Sequence, residues 1–320
     1  MLKIFITREI LSEGIDLIRN ELPNAEIKIQ PEEEILTKEK LKREIVDIDG
    51  LLCSLSDIID EEIISAAKNL KVISNYAVGF DNINIKFATK KKIMVTNTPG
   101  VLTEATADIA WGLIFAAARR LIEADKYLRD GKWKRWAPSL LLGYDLYGKT
   151  LGIIGMGRIG SAVAKRAVGF NMHIIYYSRT KKPEIEKKLK AKFVDLTTLL
   201  KEADIVSIHV PLTNKTKEMI GKKEFNLMKK TSILINTSRG AVIDEQALIE
   251  VLKEKKIAAA GLDVFTHEPI DDKNPLVKLE NVVLLPHLGS ATYETRTKMA
   301  LIAAKNLVMA LKGEMPPNLV

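Results

Sequence analysis

The chain has 320 residues, of which 47% are hydrophobic and 28% charged, a balance typical of globular rather than disordered proteins. This length suits two domains of ordinary size better than a single one. The formal net charge is +8, but the lysines are interleaved with glutamates, as at residues 38–44, and they do not alternate with aromatic residues. The charge therefore indicates solvated helix faces; the alternative is that the positive excess attracts small anionic substrates. We expect no nucleic-acid partner.

The sequence also argues against a membrane protein and against a metal site. The longest apolar run within a helical pattern is residues 109–118. Its length is about half of the roughly 20 residues that a membrane span needs. The first ten residues have no signal-peptide pattern, so we expect a cytoplasmic protein. Cys53 is the single cysteine, which excludes an internal disulfide, and no histidine has metal-like spacing, so we expect no metal.

Strand-like runs appear in two series. The first series has helical patterns between most of its runs, which argues for a parallel sheet. Its runs are residues 3–7, 26–29, 50–54, 71–75 and 93–97. A boundary is predicted at residues 98–100, and a long helical stretch follows from about Glu104 to Asp130.

The runs of the second series are almost continuously apolar, as expected for strands that are covered on both faces. They are residues 151–155, 173–177, 204–210, 232–236, 259–265 and 281–286. One more helical pattern, residues 293–313, follows the last strand, and we expect it to pack back onto the first domain. The predicted fold class is α/β, with two Rossmann-like parallel-sheet domains.

A glycine motif lies between the first strand of the second series and a helical pattern. Gly155, Gly157 and Gly160 have the spacing G-x-G-x-x-G. In a dinucleotide-binding turn the first glycine permits the tight bend, the second lets the backbone approach a pyrophosphate, and the third lets helix and strand pack closely. The strand–turn–helix context favours this interpretation over a glycine-rich turn without a ligand.

The segment 176–182, "YYSRTKK", lies where NAD enzymes usually carry an acidic residue that binds the ribose hydroxyls. Ser178 and Arg179 stand there instead, and two lysines follow. A carboxylate would repel a 2′-phosphate, whereas a hydroxyl and a guanidinium would bind it. The segment therefore predicts NADP(H) as the preferred cofactor; the alternative is a basic surface loop, with NAD(H) bound.

Three polar side chains follow the ends of predicted strands in the second series: Arg239, Glu268 and His287. Ligands of open α/β sheets lie outside the carboxyl ends of the strands, so all three could reach one cleft beside a nicotinamide. Reduction of a 2-oxo acid needs a proton donor, which suits His287; a carboxylate partner, which suits Glu268; and a cation on the substrate, which suits Arg239. The alternatives are a turn-capping arginine, an exposed loop acid and a buried structural histidine.

The chain resembles the D-isomer-specific 2-hydroxyacid dehydrogenases over essentially its full length. The matching segments are "NYAVGFDNI" (75–83), "NTPGVLTEATADIAWGLI" (97–114), "GKTLGIIGMGRIG" (148–160), "NTSRGAVIDEQAL" (236–248), "GLDVFTHEP" (261–269) and "LLPHLGSAT" (284–292). The resemblance implies a flavodoxin-like substrate domain formed by residues 1–99 and 290–320. It implies a Rossmann domain over residues 100–289, with an arm at about 120–150 through which two copies form a homodimer.

The resemblance also implies roles for individual residues. Arg239, Glu268 and His287 would be the catalytic set, and the backbone N–H groups of Val78 and Gly79 would hold the substrate carboxylate. The implied cofactor contacts are Gly155, Met156, Gly157, Arg158, Ile159, Gly160, Ser178, Arg179, Thr180, Pro211, Thr237, Ser238, Arg239, Asp263, His287, Leu288 and Gly289.

Within this family the chain looks most like the glyoxylate/hydroxypyruvate reductases. Leu55 stands where phosphoglycerate dehydrogenases tend to carry a basic residue, and Trp136, or Trp133, matches a tryptophan that restricts the partner's substrate pocket. The predicted activity is NADPH-dependent reduction of glyoxylate and hydroxypyruvate. The alternatives are a D-lactate or 3-phosphoglycerate dehydrogenase that uses NAD(H), and a dinucleotide-sensing protein of the co-repressor kind that has no catalytic role.

Overall fold

The computed structural model describes residues 1–31 and 34–320. The chain divides into two compact units, the first made of Met1–Leu102 with Ala291–Val320 and the second of Thr103–Ser290. Each unit is built on one sheet, and the strands of both sheets pair in parallel. The predicted α/β class with two parallel-sheet domains is therefore confirmed.

The first unit has a five-stranded sheet in the order β2-β1-β3-β4-β5, the flavodoxin-like order. The strands are β1 (Lys3–Ile6), β2 (Glu26–Ile29), β3 (Gly50–Cys53), β4 (Val72–Asn75) and β5 (Met94–Thr96). The helices are α1 (Ser12–Glu21), α2 (Lys38–Glu44), α3 (Glu61–Ala66), α4 (Ile85–Lys90) and, from the end of the chain, α12 (Tyr293–Leu311). Separate apolar clusters cover the two faces of this sheet.

Helix α12 is part of the core of the first unit. A Cβ atom at Gly14 of α1 would lie 2.9 Å from Ala300 Cβ, so the two helices are in close contact. The hydroxyl of Ser74 in β4 donates to the carbonyl of Ala303 at 2.8 Å. The last residues also join the sheet edge, because Val320 N donates to Val95 O at 3.0 Å. The sheet of the first unit is thus completed by the end of the chain.

The second unit has a seven-stranded sheet in the order β12-β11-β10-β9-β6-β7-β8. The strands are β6 (Thr150–Ile154), β7 (His173–Tyr177), β8 (Lys192–Phe193), β9 (Ile205–Ile208), β10 (Ile233–Asn236), β11 (Ala259–Leu262) and β12 (Val282–Leu284). The helices are α5 (Thr103–Ala118), α6 (Leu121–Arg129), α7 (Arg158–Ala167), α8 (Pro183–Leu189), α9 (Leu196–Glu202), α10 (Lys222–Phe225) and α11 (Glu245–Lys253). The strand order reverses between β6 and β9, which is where doubly wound sheets bind dinucleotides.

Two elements differ from the sequence-based expectation. The stretch 104–130 is not one helix, because Arg120 has a left-handed backbone (φ 53°) and separates α5 from α6. Strand β8 has two residues, too few to give a pattern in the sequence.

Helix α5 is buried along most of its length. Across residues 1–31 and 34–320, no helix is both long and apolar enough to cross a membrane.

Candidate active site

The glycine motif forms the turn between β6 and α7, as its sequence context predicts. Gly155 has φ +100°, and a Cβ atom there would lie 2.5 Å from the carbonyl oxygen of His209 at the end of β9. A Cβ atom at Gly160 would lie 2.1 Å from Gly155 O. Both positions therefore exclude any side chain, and the turn lies at the switch point between β6 and β9.

Gly157, the middle glycine, has a different environment. A Cβ atom there would meet no heavy atom of the described residues within 4 Å, so the missing side chain leaves open space directly before α7. Gly157 is the N-cap of this ten-residue helix, and no side chain in the described part of the protein caps its first N–H groups. Open space beside uncapped N–H groups and the positive end of a helix dipole fits a phosphate group.

The loop after β7, residues 178–182, is exposed and basic. The Ser178 hydroxyl donates to Thr180 O at 2.6 Å, and Lys182 N donates to the buried Tyr176 hydroxyl at 2.7 Å. Arg179 is exposed, and among the described residues its guanidinium has no hydrogen-bond or ion-pair partner. The loop backbone is thus fixed near its base, while a guanidinium remains available to a ligand.

Arg239 lies just beyond β10, in a turn that is held by Asn236. The buried Asn236 side chain accepts from Ser238 N at 3.0 Å and from the Ser238 hydroxyl at 2.8 Å, and it donates to Arg239 O at 2.9 Å. The next residue, Gly240, packs directly on the segment after β11, since a Cβ atom there would lie 1.9 Å from the backbone carbon of Phe265. This glycine lets the Arg239 turn approach the loop that carries Glu268.

His287 and Glu268 form a pair at the ends of neighbouring strands. The distance between His287 Nδ1 and Glu268 Oε2 is 2.7 Å, and the two side chains are 25% and 27% exposed, so the pair is accessible to a ligand. Glu268 also accepts from Phe265 N at 3.0 Å. Burial opposes ionisation of the Glu268 carboxyl. The hydrogen bond and charge of His287, with Phe265 N–H and Arg239, outweigh burial and hold the pKa of Glu268 below its ordinary value.

Asp263 fixes the backbone around His287. Its carbonyl accepts from His287 N at 3.0 Å, and its carboxylate accepts from Leu288 N at 2.6 Å and Gly289 N at 2.8 Å. His287 has φ +56°, a left-handed conformation that is costly for a residue with a side chain and persists only where its surroundings enforce it. Burial raises the pKa of Asp263, although the two N–H donors and His287 oppose the shift.

The structure thus brings Arg239, Glu268 and His287 to one edge of the second sheet; we refer to these three residues as the strand-end cluster. Thr237 lies beside it, and among the described residues its buried hydroxyl oxygen has no hydrogen-bond partner. Pro211 follows β9 and is exposed, and Met156, Arg158 and Ile159 surround the start of α7. These positions lie at the same, carboxyl-terminal, edge of the sheet.

The remaining predicted residues lie elsewhere. Val78 and Gly79 are half-buried in the loop after β4 of the first unit, and Leu55 is half-buried after β3. Trp136 and Trp133 belong to the segment between α6 and β6, where their side chains are 76% and 54% exposed. The sequence reasoning did not find the close approach of Gly240 to Phe265, because a contact between residues 25 positions apart leaves no local pattern.

The second unit matches a known family model over most of its length. Residues 111–289 match the D-isomer specific 2-hydroxyacid dehydrogenase, NAD binding domain. A glyoxylate reductase of Thermococcus litoralis is 54% identical over 322 aligned residues, which cover 99% of this chain and 96% of that protein. The chain therefore belongs to the D-isomer specific 2-hydroxyacid dehydrogenase family, as the sequence motifs predict. It is an oxidoreductase that binds a nicotinamide dinucleotide.

Solved structures agree with this assignment. A Thermus thermophilus protein superposes with a TM-score of 0.93 at 44% identity, and the match covers 100% of both chains. An NADPH-dependent glyoxylate/hydroxypyruvate reductase of Sinorhizobium meliloti, in complex with NADP and malonate, superposes with a TM-score of 0.85 at 31% identity, over 100% of this chain and 96% of the other. The two-sheet architecture is therefore shared with both of these solved structures.

Proposed function

We propose that this protein reduces glyoxylate, and hydroxypyruvate with it, to the corresponding 2-hydroxy acid, with NADPH as the preferred reductant. The observation that carries the proposal is the 2.7 Å contact between His287 Nδ1 and Glu268 Oε2 in the strand-end cluster. The names of relatives such as the Thermococcus litoralis enzyme support the choice of substrate. The domain of residues 100–289 would bind the dinucleotide, and residues 1–99 with 290–320 would form the substrate domain.

The histidine–carboxylate pair suits delivery of a proton to a carbonyl oxygen. Because the pKa of Glu268 is held low, its carboxylate stays ionised, accepts a hydrogen bond from Nδ1–H and fixes the orientation of the His287 ring. The other ring nitrogen, Nε2, then holds the proton that the substrate oxygen receives as it gains negative charge. Bound NADPH supplies the hydride for C2 of the substrate.

Arg239 would bind the substrate and stabilise the charge that develops on its oxygen. The Asn236 side chain fixes the turn of Arg239, so the guanidinium projects from a rigid base. In the first unit, the N–H groups of Val78 and Gly79 would hold the substrate carboxylate, as the family resemblance implies. Leu55 offers no charge to a substrate phosphate, which supports a small 2-oxo acid over a phosphorylated one.

The residues of the second unit fit a dinucleotide. The open space at Gly157 and the uncapped start of α7 suit its pyrophosphate. The Thr237 hydroxyl, which has no partner within residues 1–31 and 34–320, offers a polar contact on the nicotinamide side. Ser178, Arg179 and Thr180 would surround the adenosine ribose. The Arg179 guanidinium is exposed and has no partner among the residues that the structure describes. Such a group suits a 2′-phosphate better than two hydroxyls, which supports the preference for NADPH.

We also propose a homodimer that forms through the arm at about residues 120–150. None of the residues of helix α6 is buried, and this includes the large apolar side chains of Ile122, which is 60% exposed, and Leu128, which is 57% exposed. Trp136, Leu142 and Tyr147, in the segment that follows, are also exposed. Exposed large apolar side chains concentrated in one stretch of the chain support a protein interface there. Light scattering of wild type and Ile122→Asp should give the mass of two chains and of one, respectively; a monomeric wild type would refute the dimer.

The decisive experiment is a comparison of glyoxylate reduction with NADPH and with NADH, followed by the absorbance of the reduced nicotinamide. We expect fast oxidation of NADPH and a clear preference over NADH. Equal or better use of NADH would remove the cofactor assignment and leave the family intact. If neither is oxidised, a panel of 2-oxo acids including pyruvate comes next; failure of the whole panel would favour a dinucleotide-sensing protein without a catalytic role.

A further inference from the structure

In the loop that follows β4, three successive backbone carbonyl groups each accept a hydrogen bond from a buried donor. Ala77 O accepts from Thr98 N at 2.9 Å, Val78 O accepts from Asn97 Nδ2 at 2.8 Å, and Gly79 O accepts from Asn75 Nδ2 at 2.9 Å. Asn75 is 0% exposed and Asn97 is 7% exposed, so both amide side chains lie on the inner side of the loop. The three carbonyls therefore all face the interior of the first unit.

This arrangement fixes the direction of the N–H groups as well. In a trans peptide the N–H points opposite to the C=O, so the N–H groups of Val78, Gly79 and Phe80 point away from the buried donors. Among the described residues of the first unit, none of these N–H groups has an acceptor. Val78 and Gly79 are half-buried and Phe80 is exposed. Successive N–H groups that face the same side of a loop form a concave anion-binding site.

We propose that Asn97 and Asn75 are positioning residues for the substrate carboxylate. Each amide holds one carbonyl inward and thereby orients the opposite N–H outward, before any substrate arrives. The inference rests on the proposed function, in which the N–H groups of Val78 and Gly79 bind that carboxylate. Neither asparagine touches the substrate itself.

The Asn97 backbone is in turn held by the C-terminal part of the chain. The buried Asn306 side chain of α12 donates to Asn97 O at 3.1 Å, and Asn97 N donates to Asn318 O at 3.2 Å. Asn75 is supported by Cys53, whose Sγ lies 3.6 Å from Asn75 Oδ1. These contacts hold the backbone of Asn97 and the side chain of Asn75 in place.

The test is Asn97→Ala, with kcat and KM measured for glyoxylate and for glyoxylamide, which keeps the carbonyl but lacks the negative charge. We expect the glyoxylate KM to rise about tenfold, as for one lost hydrogen bond to a charged group, with kcat changed much less. The KM for glyoxylamide and the affinity for NADPH should stay close to wild type. A general loss of structure would instead change all of these values together.

The matched control is Asn281→Ala. Asn281 is a partly buried asparagine of the second unit that donates to Leu252 O at 3.2 Å and Ala258 O at 3.3 Å, at the opposite edge of the sheet from the strand-end cluster. This variant loses comparable hydrogen bonds and should keep the wild-type KM for glyoxylate. If Asn97→Ala does not fold, Asn97→Asp preserves the side-chain shape, removes the donor and should raise the same KM further.

The outcomes separate this inference from the proposed function. If the wild-type protein reduces glyoxylate and Asn97→Ala keeps its KM, the positioning role is wrong and the proposed function stands. The same holds if the KM values for glyoxylate and glyoxylamide rise equally. If the wild type acts on another 2-oxo acid, the comparison is made with that acid and its amide. If no 2-oxo acid is reduced, both proposals fail.

Discussion

The strand-end cluster and the 178–182 loop are two parts of the second unit that differ in how fully their polar groups are satisfied. In the cluster, His287 is paired with Glu268. The backbone N–H of Phe265 donates a hydrogen bond to Glu268, and those of Leu288 and Gly289 donate to Asp263. In the loop, Arg179 is exposed and, among the described residues, has no partner. The cluster is organised before a ligand arrives, whereas a ligand must order the guanidinium of the loop. Changes in the first should therefore affect turnover, and changes in the second should affect cofactor choice.

The largest effect is expected at His287. His287→Ala removes the proposed proton donor but leaves the glycine turn and α7 intact, so kcat should fall about 10²–10⁴-fold while NADPH binding persists. Turnover is measured by the absorbance of the reduced cofactor, and binding by its fluorescence. The control is His173→Ala, an exposed histidine at the start of β7. Near-normal turnover of His287→Ala would show that another group delivers the proton.

Glu268→Gln should have the next largest effect. Glutamine keeps the shape of the side chain, and its amide oxygen can accept a hydrogen bond from Nδ1–H. It lacks the charge that favours a protonated ring. We expect kcat to fall about 10²-fold, with little change in the affinity for NADPH. A kcat close to that of wild type would mean that the carboxylate only orients His287.

Arg179→Asp tests the loop. Loss of a hydrogen bond to a charged group costs about 1.5–3 kcal/mol, so the KM for NADPH should rise about tenfold to a hundredfold, while the KM for NADH should change little. Lys187→Asp, an exposed change of the same charge in α8, controls for the general positive field. Equal effects of Arg179→Asp on both cofactors would place the contact to the 2′-phosphate elsewhere.

The smallest expected effect concerns acid stability. The pKa of Glu268 is lowered in the folded protein, so its charged interactions stabilise the fold fully above its unfolded pKa of about 4.3 and lose this effect as the pH falls through the lower folded value. The difference in melting temperature between wild type and Glu268→Gln should shrink as the pH falls below about 4.3. A difference that does not depend on pH would contradict the lowered pKa.

Much of the fold could be predicted because parallel strands covered on both faces leave continuous apolar runs, and the glycine spacing marks one turn. The residues of the strand-end cluster were found because each follows such a run. The break at Arg120 was missed because a single left-handed residue leaves no pattern, and Arg is not a residue that favours this conformation. The roles of Gly240 and Asn97 depend on contacts between distant segments, which one sequence does not reveal.

The return of α12 to the first unit has a consequence for the order of folding during synthesis. The second unit is one continuous segment, Thr103–Ser290, whereas the first unit needs residues from both sides of it. Until α12 leaves the ribosome, the apolar cluster that contains Ile4, Ile6 and Leu52 lacks the helix that covers it. Domains generally fold as units as they emerge, so the middle of this chain should acquire its native structure before the beginning does. For the same reason, residues 1–290 tethered to the ribosome by a linker long enough to bring residue 290 out of the exit tunnel should carry a protease-resistant second unit and a protease-sensitive N-terminal segment.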